Sequence, residues 1–288
     1  MQKVKKAVFP VAGFGTRFLP FTKATPKEML PIVDKPVIQL LAEEAANSEI
    51  EQIIVVTGRS KRAIEDHFDA SFELEYLLEK KNKKELLREV KKVENLAKFI
   101  FVRQAEPKGD GDAIMQAKEV IGQDPFCVVF GDDLIKSKKP SIAQILDVFE
   151  KHRNCVIGVQ EVPKKDIPKF GIVKPLRDGD IFEIEDMVEK PKISEAPSNL
   201  AIVGKFVCTH EIFDALKQAK KSPDGELRLI DGFRKLSEKR AIFGKKIHGT
   251  RFDTGSKIGF LEAIVDSALD REDLRDDFIK YIKSRIKN

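Results

Sequence analysis

Two glycines and two cations crowd one short stretch of this chain. Residues 5–12 read as a buried strand, which runs straight into Gly13-Phe14-Gly15-Thr16-Arg17. A proline-punctuated loop follows and holds Thr25-Pro26-Lys27-Glu28-Met29-Leu30-Pro31. A glycine turn at the end of a first strand lets backbone N–H groups approach phosphate oxygens closely. Arg17 offers such an anion a planar fork of donors, and Lys27 offers a mobile point charge. The combination points to a nucleoside triphosphate that is handled chemically.

Three phosphate readings compete for residues 13–17. The dinucleotide fingerprint needs G-x-G-x-x-G opening a helix directly. Here Phe18 stands where the third glycine belongs, and Pro20, Pro26 and Pro31 oppose a direct helix. A Walker A loop needs G-x-x-x-x-G-K-[ST], which is missing. A plain structural turn is the third reading. A second site of interest is Asp132, which follows the apolar run 126–130 and Gly131. Open α/β sheets place ligands at the carboxyl ends of buried strands; the bland alternative is an aspartate capping the next turn.

The elements that must hold these residues alternate. Strand candidates are 7–11, 52–57, 99–103, 126–130 and 155–159. Helix candidates between them are 37–47, 61–68, 112–121 and 141–152. This rhythm predicts an α/β fold with a Rossmann-like mixed, mostly parallel central sheet flanked by helices. Residues 72–98 interrupt it with leucines at helical spacing in a Lys/Glu background. They read as a pair of solvated surface helices, or as an insertion used for subunit contact or as a lid. After residue 160, short strands 172–173, 181–184 and 201–207 are joined by Pro- and Asp/Gly-containing turns. Helices 211–219 and 227–239, a strand near 242–247 and a helical region from 257 complete the chain. No repeat or linker is visible. A single domain over 1–288 is expected, with nucleotide bound by the N-terminal part and the second substrate by the part from about 155.

Bulk properties agree. The 288 residues carry 34% charged and 42% apolar side chains, with a formal charge of +5 from 52 basic and 47 acidic groups. That excess is too small to argue nucleic-acid binding, and Trp is absent. No window approaches a membrane span, and no secretory leader is recognisable. Cys127, Cys155 and Cys208 are far apart and read as buried reduced thiols. A cytoplasmic protein is expected.

The extended motif resembles the sugar-nucleotide pyrophosphorylases, and within them the uridylyl-transferring branch. The likeness begins at Gly13 to Arg17 and Pro26 to Pro31, then runs through Ile32-Val33-Asp34-Lys35-Pro36-Val37-Ile38-Gln39 and Asp66-His67-Phe68-Asp69. It continues in Val102-Arg103-Gln104, Gly131-Asp132-Asp133, Phe170-Gly171-Ile172-Val173 and Met187-Val188-Glu189-Lys190-Pro191. The run from Ala196 to Gly204 and Arg251-Phe252-Asp253-Thr254-Gly255 complete it. The pieces cover nearly the whole chain, in order.

The resemblance implies that UTP and glucose 1-phosphate give UDP-glucose and pyrophosphate. A phosphomonoester's second pKa is about 6, so the attacking oxygen is already an anion and needs no general base. Positioning and charge neutralisation must supply most of the catalysis. The implied catalytic groups are Arg17, Lys27, Asp132 and Lys190. Asp132 and Asp253 would hold Mg2+, which takes hard oxygen ligands and often uses only one or two carboxylates plus phosphates. Gln104, which can present a donor and an acceptor to one edge of uracil, would read the base with the backbone near Ala12, Gly13, Gly15 and Gly109. Glu189 would accept from sugar hydroxyls, Lys190 would pair with the sugar phosphate, and Gly171 would let the backbone approach the hexose. Asn199 would assist there, and Asp133 would bond the sugar or support its neighbours.

One motif departs from the family. Its common pattern is K-G-L-G-H-A, where this chain has Lys108-Gly109-Asp110-Gly111-Asp112-Ala113. The glycines persist, and Asp112 suits the first turn of a helix. Rival functions are a thymidylyl- or cytidylyltransferase on the same sugar phosphate, or a non-catalytic sugar-nucleotide-binding regulator. The family tends to form homodimers or homotetramers, with 72–98 and the C-terminal helix as plausible contacts.

Overall fold

The computed structural model describes residues 3–222 and 224–286. Its strands, in chain order, begin with β1 (Lys6–Pro10), β2 (Pro31–Ile32), β3 (Lys35–Pro36) and β4 (Gln52–Thr57). Next come β5 (Lys98–Arg103), β6 (Phe126–Val129), β7 (Asp133–Lys136), β8 (Val156–Glu161) and β9 (Gly171–Pro175). The last four are β10 (Ile181–Glu189), β11 (Leu200–Cys208), β12 (Phe243–Lys246) and β13 (Thr250–Asp253). Nine of these form one sheet in the order β5-β4-β1-β6-β11-β8-β12-β10-β9.

The central strands are apolar on both faces because helices cover both faces. Successive side chains alternate sides. Ala7, Phe9, Ile53 and Val55 therefore enter one core, packed by helices Val37–Ala46, Arg62–Phe68 and Ser141–His152. Val8, Ile54 and Val56 enter the other, with helices Asp110–Gln116, Glu211–Gln218 and Leu229–Ser237. Each fully buried Phe or Ile among them contributes roughly 1.5–3 kcal/mol.

The mixed α/β sheet is as expected, but its parallel share is smaller. Pairs β4–β5, β1–β4, β1–β6 and β8–β12 are parallel; β6–β11, β8–β11, β10–β12 and β9–β10 are antiparallel. The reason lies in the connections. The turn between β9 and β10 is too short for a parallel crossover, so that pair must run antiparallel. The expected helix over 112–121 is two pieces, Asp110–Gln116 and Lys118–Ile121, parted at Ala117. Residues 72–98 do form two helices, Phe72–Lys80 and Lys84–Glu94, with Leu74, Leu77 and Leu86 exposed. Among the described residues no helix is long and apolar enough to cross a membrane. Cys127, Cys155 and Cys208 are buried free thiols.

The parallel half decides where chemistry can occur. Strands β1, β4, β5 and β6 all deliver their carboxyl ends to one edge. There the chain runs into Gly13, Gly58, Gln104 and Asp132 respectively. A short ladder missed by sequence reasoning, β7 with β13, extends this edge and pairs Asp133 with Asp253. Four-residue strands separated by more than a hundred positions leave no local signal.

Candidate active site

The loop after β1 winds through three short 3-10 turns, Thr16–Phe18, Phe21–Lys23 and Lys27–Met29. Prolines at 20, 26 and 31 prevent a continuous helix. Gly15 takes a left-handed conformation with φ +65, and a Cβ there would stand 3.1 Å from Cβ of Lys27. Glycine thus serves both the turn and the passage of the Lys27 stem. Thr22 Oγ1 donates to the Gly15 carbonyl at 2.9 Å. A Cβ at Gly13 would meet nothing within 4 Å, so the backbone there faces open space.

Lys27 Nζ donates to Oδ2 of Asp132 at 2.5 Å. Burial opposes the lysine charge, but Asp132 and Glu28 outweigh it and raise its pKa above the ordinary value. Burial likewise opposes the Asp132 charge. Lys27, with Arg17 and Arg251 beyond, outweighs that and holds the carboxyl below the usual range. Arg17 Nη1 donates to the Gly255 carbonyl at 3.4 Å. The loop after β1 therefore spans from Asp132 to the turn after β13.

That turn binds the Asp132 backbone. Thr254 donates to the Asp132 carbonyl through its N–H at 2.9 Å and its hydroxyl at 3.0 Å. A Cβ at Gly255 would lie 2.6 Å from Asp132 Oδ2 and 3.0 Å from Asp253 Oδ1. Glycine leaves room between two convergent carboxylate oxygens. Burial, then Asp132 and Asp133, raise the Asp253 pKa. Such a pair attracts a cation.

Of the two roles expected for Asp133, its contacts within the protein match support of its neighbours. It accepts a bidentate pair from Arg251, Nη2 at 2.9 Å and Nε closer still, while its Oδ2 also takes the Gly204 N–H at 2.8 Å. The Asp133 carbonyl accepts from Lys205 Nζ at 2.6 Å, a lysine with no exposed surface. Asp133 thus holds Arg251, whose guanidinium lies 4.4 Å over the Phe170 ring. This brings Phe170, and Gly171 after it, to the carboxylates.

Gln104 differs from expectation. Its amide nitrogen donates to the Gly109 carbonyl at 3.1 Å and to Asp112 Oδ2 at 2.6 Å. Both donor hydrogens are spent inside the protein, leaving Oε1 as the group to offer a base. Asp112 is in the first helical turn, as expected, but its carboxylate serves Gln104. Gly109, at φ +102, presses against the Leu227 backbone. Asp110 accepts the Leu229 N–H at 2.6 Å, and burial pushes its pKa up to about 6 against that bond.

A cleft of about 1020 Å³ is bordered by Asp110, Asp133, Phe170 and Arg251 among these residues, while Gly13, Gly15, Lys27, Gln104 and Gly109 are not in its wall. Arg17, Asp132 and Asp253 line it, and so do Gly171, Glu189 and Lys190. Gly171 pairs with Glu189 across β9 and β10, and a Cβ on it would stand 3.0 Å from Glu189 Oε2. Lys190, at φ +45, is 3.4 Å from Glu189 Oε1 and half exposed. Asn199 does not join them. It is exposed just before β11, where its carbonyl accepts the Val162 N–H at 3.0 Å. Ala12 underlies the same edge, against Gly58.

A profile of the nucleotidyl transferase family matches residues 6–268. The chain belongs to this family. It is 48% identical over 284 residues to a UTP–glucose-1-phosphate uridylyltransferase of Bacillus subtilis (strain 168), covering 98% of this chain and 97% of that protein. Among solved structures, a UDP-glucose pyrophosphorylase from Acinetobacter baumannii superposes with a TM-score of 0.91 at 37% identity, over 98% of this chain and 99% of that one. A UDP-glucose pyrophosphorylase complexed with UDP-glucose gives a TM-score of 0.85 at 38% identity, over 93% and 100%. In this nucleotidyl transferase, sequence reasoning overlooked Glu28, Lys61, Lys205 and the grip of Asp133 on Arg251. Glu28 and Lys61 form an almost fully buried ion pair at 2.7 Å. Nothing local marks it, since 33 positions separate the partners.

Proposed function

We propose that this nucleotidyl transferase joins UTP to glucose 1-phosphate, releasing pyrophosphate and making UDP-glucose. The observation that carries the reading is one cleft lined both by Arg17, Asp132 and Asp253 and by Gly171, Glu189 and Lys190. The first set suits a triphosphate, and the second suits a sugar phosphate. The 48% identity to a uridylyltransferase supports the choice of substrates.

A phosphate oxygen of glucose 1-phosphate attacks the α-phosphorus, and the bond to the bridging oxygen of the β-phosphate breaks. Both electrons of that bond leave with pyrophosphate. No proton must move, because the nucleophile is ionised near neutral pH. The work is therefore positioning and charge neutralisation. Lys190 would guide the sugar phosphate. Arg17 and Lys27 would receive the charge that builds on pyrophosphate. Lys27 would have to leave Asp132 in part, exchanging one anion for another. Gln104 Oε1 would accept the N3–H of uracil, with backbone groups of Ala12, Gly13, Gly15 and Gly109 around the ring.

The carboxylates Asp132 and Asp253 fit Mg2+, because Gly255 leaves a gap between their oxygens. Among the described residues no third His, Cys, Asp or Glu joins a metal-holding group, so substrate phosphates would complete the shell, as this ion prefers. When bound, it would neutralise and orient the α-phosphate. We read residues 1–288 as one cytoplasmic domain that forms homodimers or homotetramers, with exposed Phe72, Tyr76 and Leu77 as candidate contacts.

The deciding experiment supplies UTP, dTTP or CTP with glucose 1-phosphate and magnesium, and follows pyrophosphate. UTP should turn over fastest. Faster turnover with dTTP or CTP would move the protein to the neighbouring specificity, and none at all would make it a binding protein.

A further inference from the structure

A second cavity, of about 580 Å³, lies at the far end of the β7–β13 ladder. Its size falls within the range of small-molecule sites. Four lysines line it against two aspartates. Lys139 pairs with Asp147, and Lys245 with Asp180 at 2.5 Å. His248 shares Asp180 at 3.0 Å. Lys138 and Lys151 are left; among the described residues neither forms an ion pair. Both are exposed and free to turn toward an anion. The floor is apolar, from Val148 and the partly exposed Ile181. Spare cations above an apolar floor suit a phosphate carried on a ring.

The position matters more than the charge. Ladder pairs run from Thr250 with Lys136, beside this cavity, to Asp253 with Asp133, in the catalytic cleft. Residues 137–139 leave β7 as part of the cavity wall, and Gly249 enters β13 from it. A Cβ at Gly249 would stand 2.7 Å from the Lys136 carbonyl, so the two chains are in tight contact there. Buried Gln144 staples them. Its amide nitrogen donates to the carbonyls of Lys139 and His248, each at 2.9 Å, and its oxygen accepts the His248 N–H at 2.9 Å. A ligand that shifts 138 or 248 must shift the ladder or break this staple.

We propose that this cavity is a regulatory site for a small phosphorylated metabolite, coupled through the β7–β13 ladder to Asp132, Asp133 and Asp253. The binding claim stands on the cavity alone, and only the coupling rests on the proposed reaction. Coupling of this kind is reciprocal, so the effector and the cleft ligand must change each other's affinity.

The test is calorimetric titration of the full-length protein with its cleft saturated by UDP-glucose and magnesium. Three probes are used: glucose 6-phosphate, fructose 1,6-bisphosphate and UMP. Sugar phosphates binding while UMP fails assigns a sugar effector, and the converse a nucleotide. At least one probe should bind saturably below about 10 mM. The K138E/K151E double variant should weaken it at least about tenfold while keeping basal turnover within about twofold. The bound probe should also change kcat or KM at least about twofold in the wild type and not in the double variant. Three results overturn the proposal: no saturable binding of any probe, binding indifferent to K138E/K151E, or binding that leaves turnover unchanged. Failure of UDP-glucose itself to bind would instead strike the proposed function.

Discussion

Lys27 Nζ stands 2.5 Å from Asp132 Oδ2, although the two residues are 105 positions apart and both are largely shielded from water. One partner comes from the glycine loop after β1, the other from the end of β6. The sheet brings them together because β1 and β6 are parallel neighbours. In the proposed reaction this pair would offer its cation to phosphate and its anion to Mg2+.

Asp132→Ala should therefore do two things. It should lower kcat at least about a hundredfold, the usual scale for losing one charge-stabilising group. It should also leave Lys27 without its main counter-charge. The measurement is pyrophosphate release under saturating substrates, with circular dichroism to confirm an intact fold. Activity near the wild-type level would remove Asp132 from the proposed chemistry.

Gly15→Ala probes the loop itself. The φ of +65 is poorly tolerated by alanine, and the new methyl would crowd the Lys27 stem at 3.1 Å. A loss of roughly 1 kcal/mol or more in stability is expected, with kcat falling as Lys27 is displaced. Equal urea midpoints and equal kcat for the variant and the parent would contradict this account.

Asp110 sets a pH dependence. Its folded pKa of about 6 lies above the ordinary 3.8. Between these values the folded state binds more protons than the unfolded one, so stability falls as pH rises through that window. Partial exposure to the cleft limits the effect to roughly 1–2 kcal/mol. Asp110→Asn keeps an acceptor for the Leu229 N–H and carries no charge. Its urea midpoint should exceed the parent's at pH 7 and approach it at pH 4. A constant difference across that range would mean that Asp110 does not titrate there.

The legible part of this molecule was whatever repeats over a few residues. Ile53 to Val56 announced a buried strand, and helix 141–152 matched its predicted limits because Pro140 starts it and Arg153, in a left-handed turn, ends it. Gly15 and Asp132 were legible because each follows a strand closely, and Lys27 because it lies near the glycine turn in sequence and within the family motif. The partners of Asp133 were not. Its grip on Arg251 spans 118 positions and depends on the β7–β13 register. Asn199 was misplaced for the converse reason: a motif shows proximity in sequence, but the strand start there turns its residue to solvent. Gln104 was expected, from the family resemblance and its amide chemistry, to offer a donor and an acceptor, but Gly109 and Asp112 occupy the donor.

The buried pair of Glu28 and Lys61 gives the sharpest test of how the loop after β1 is held. Glu28 is next to Lys27 in the chain and is buried against Gly131, where a Cβ would stand 3.0 Å from Cγ of Glu28. Lys61 reaches it at 2.7 Å from just before helix Arg62–Phe68. The pair thus anchors the loop under the turn that carries Asp132. Removing one charge strands the other in the interior, so Glu28→Gln and Lys61→Met should each cost about 3–5 kcal/mol. Removing both should cost clearly less than the sum, because neither leaves an orphan. A double-mutant cycle by urea unfolding measures that difference. If the double variant regains stability but kcat stays low, the pair's contribution to turnover is placement of Lys27. If the two single losses simply add, the pair is not an interacting unit and the loop must be anchored elsewhere.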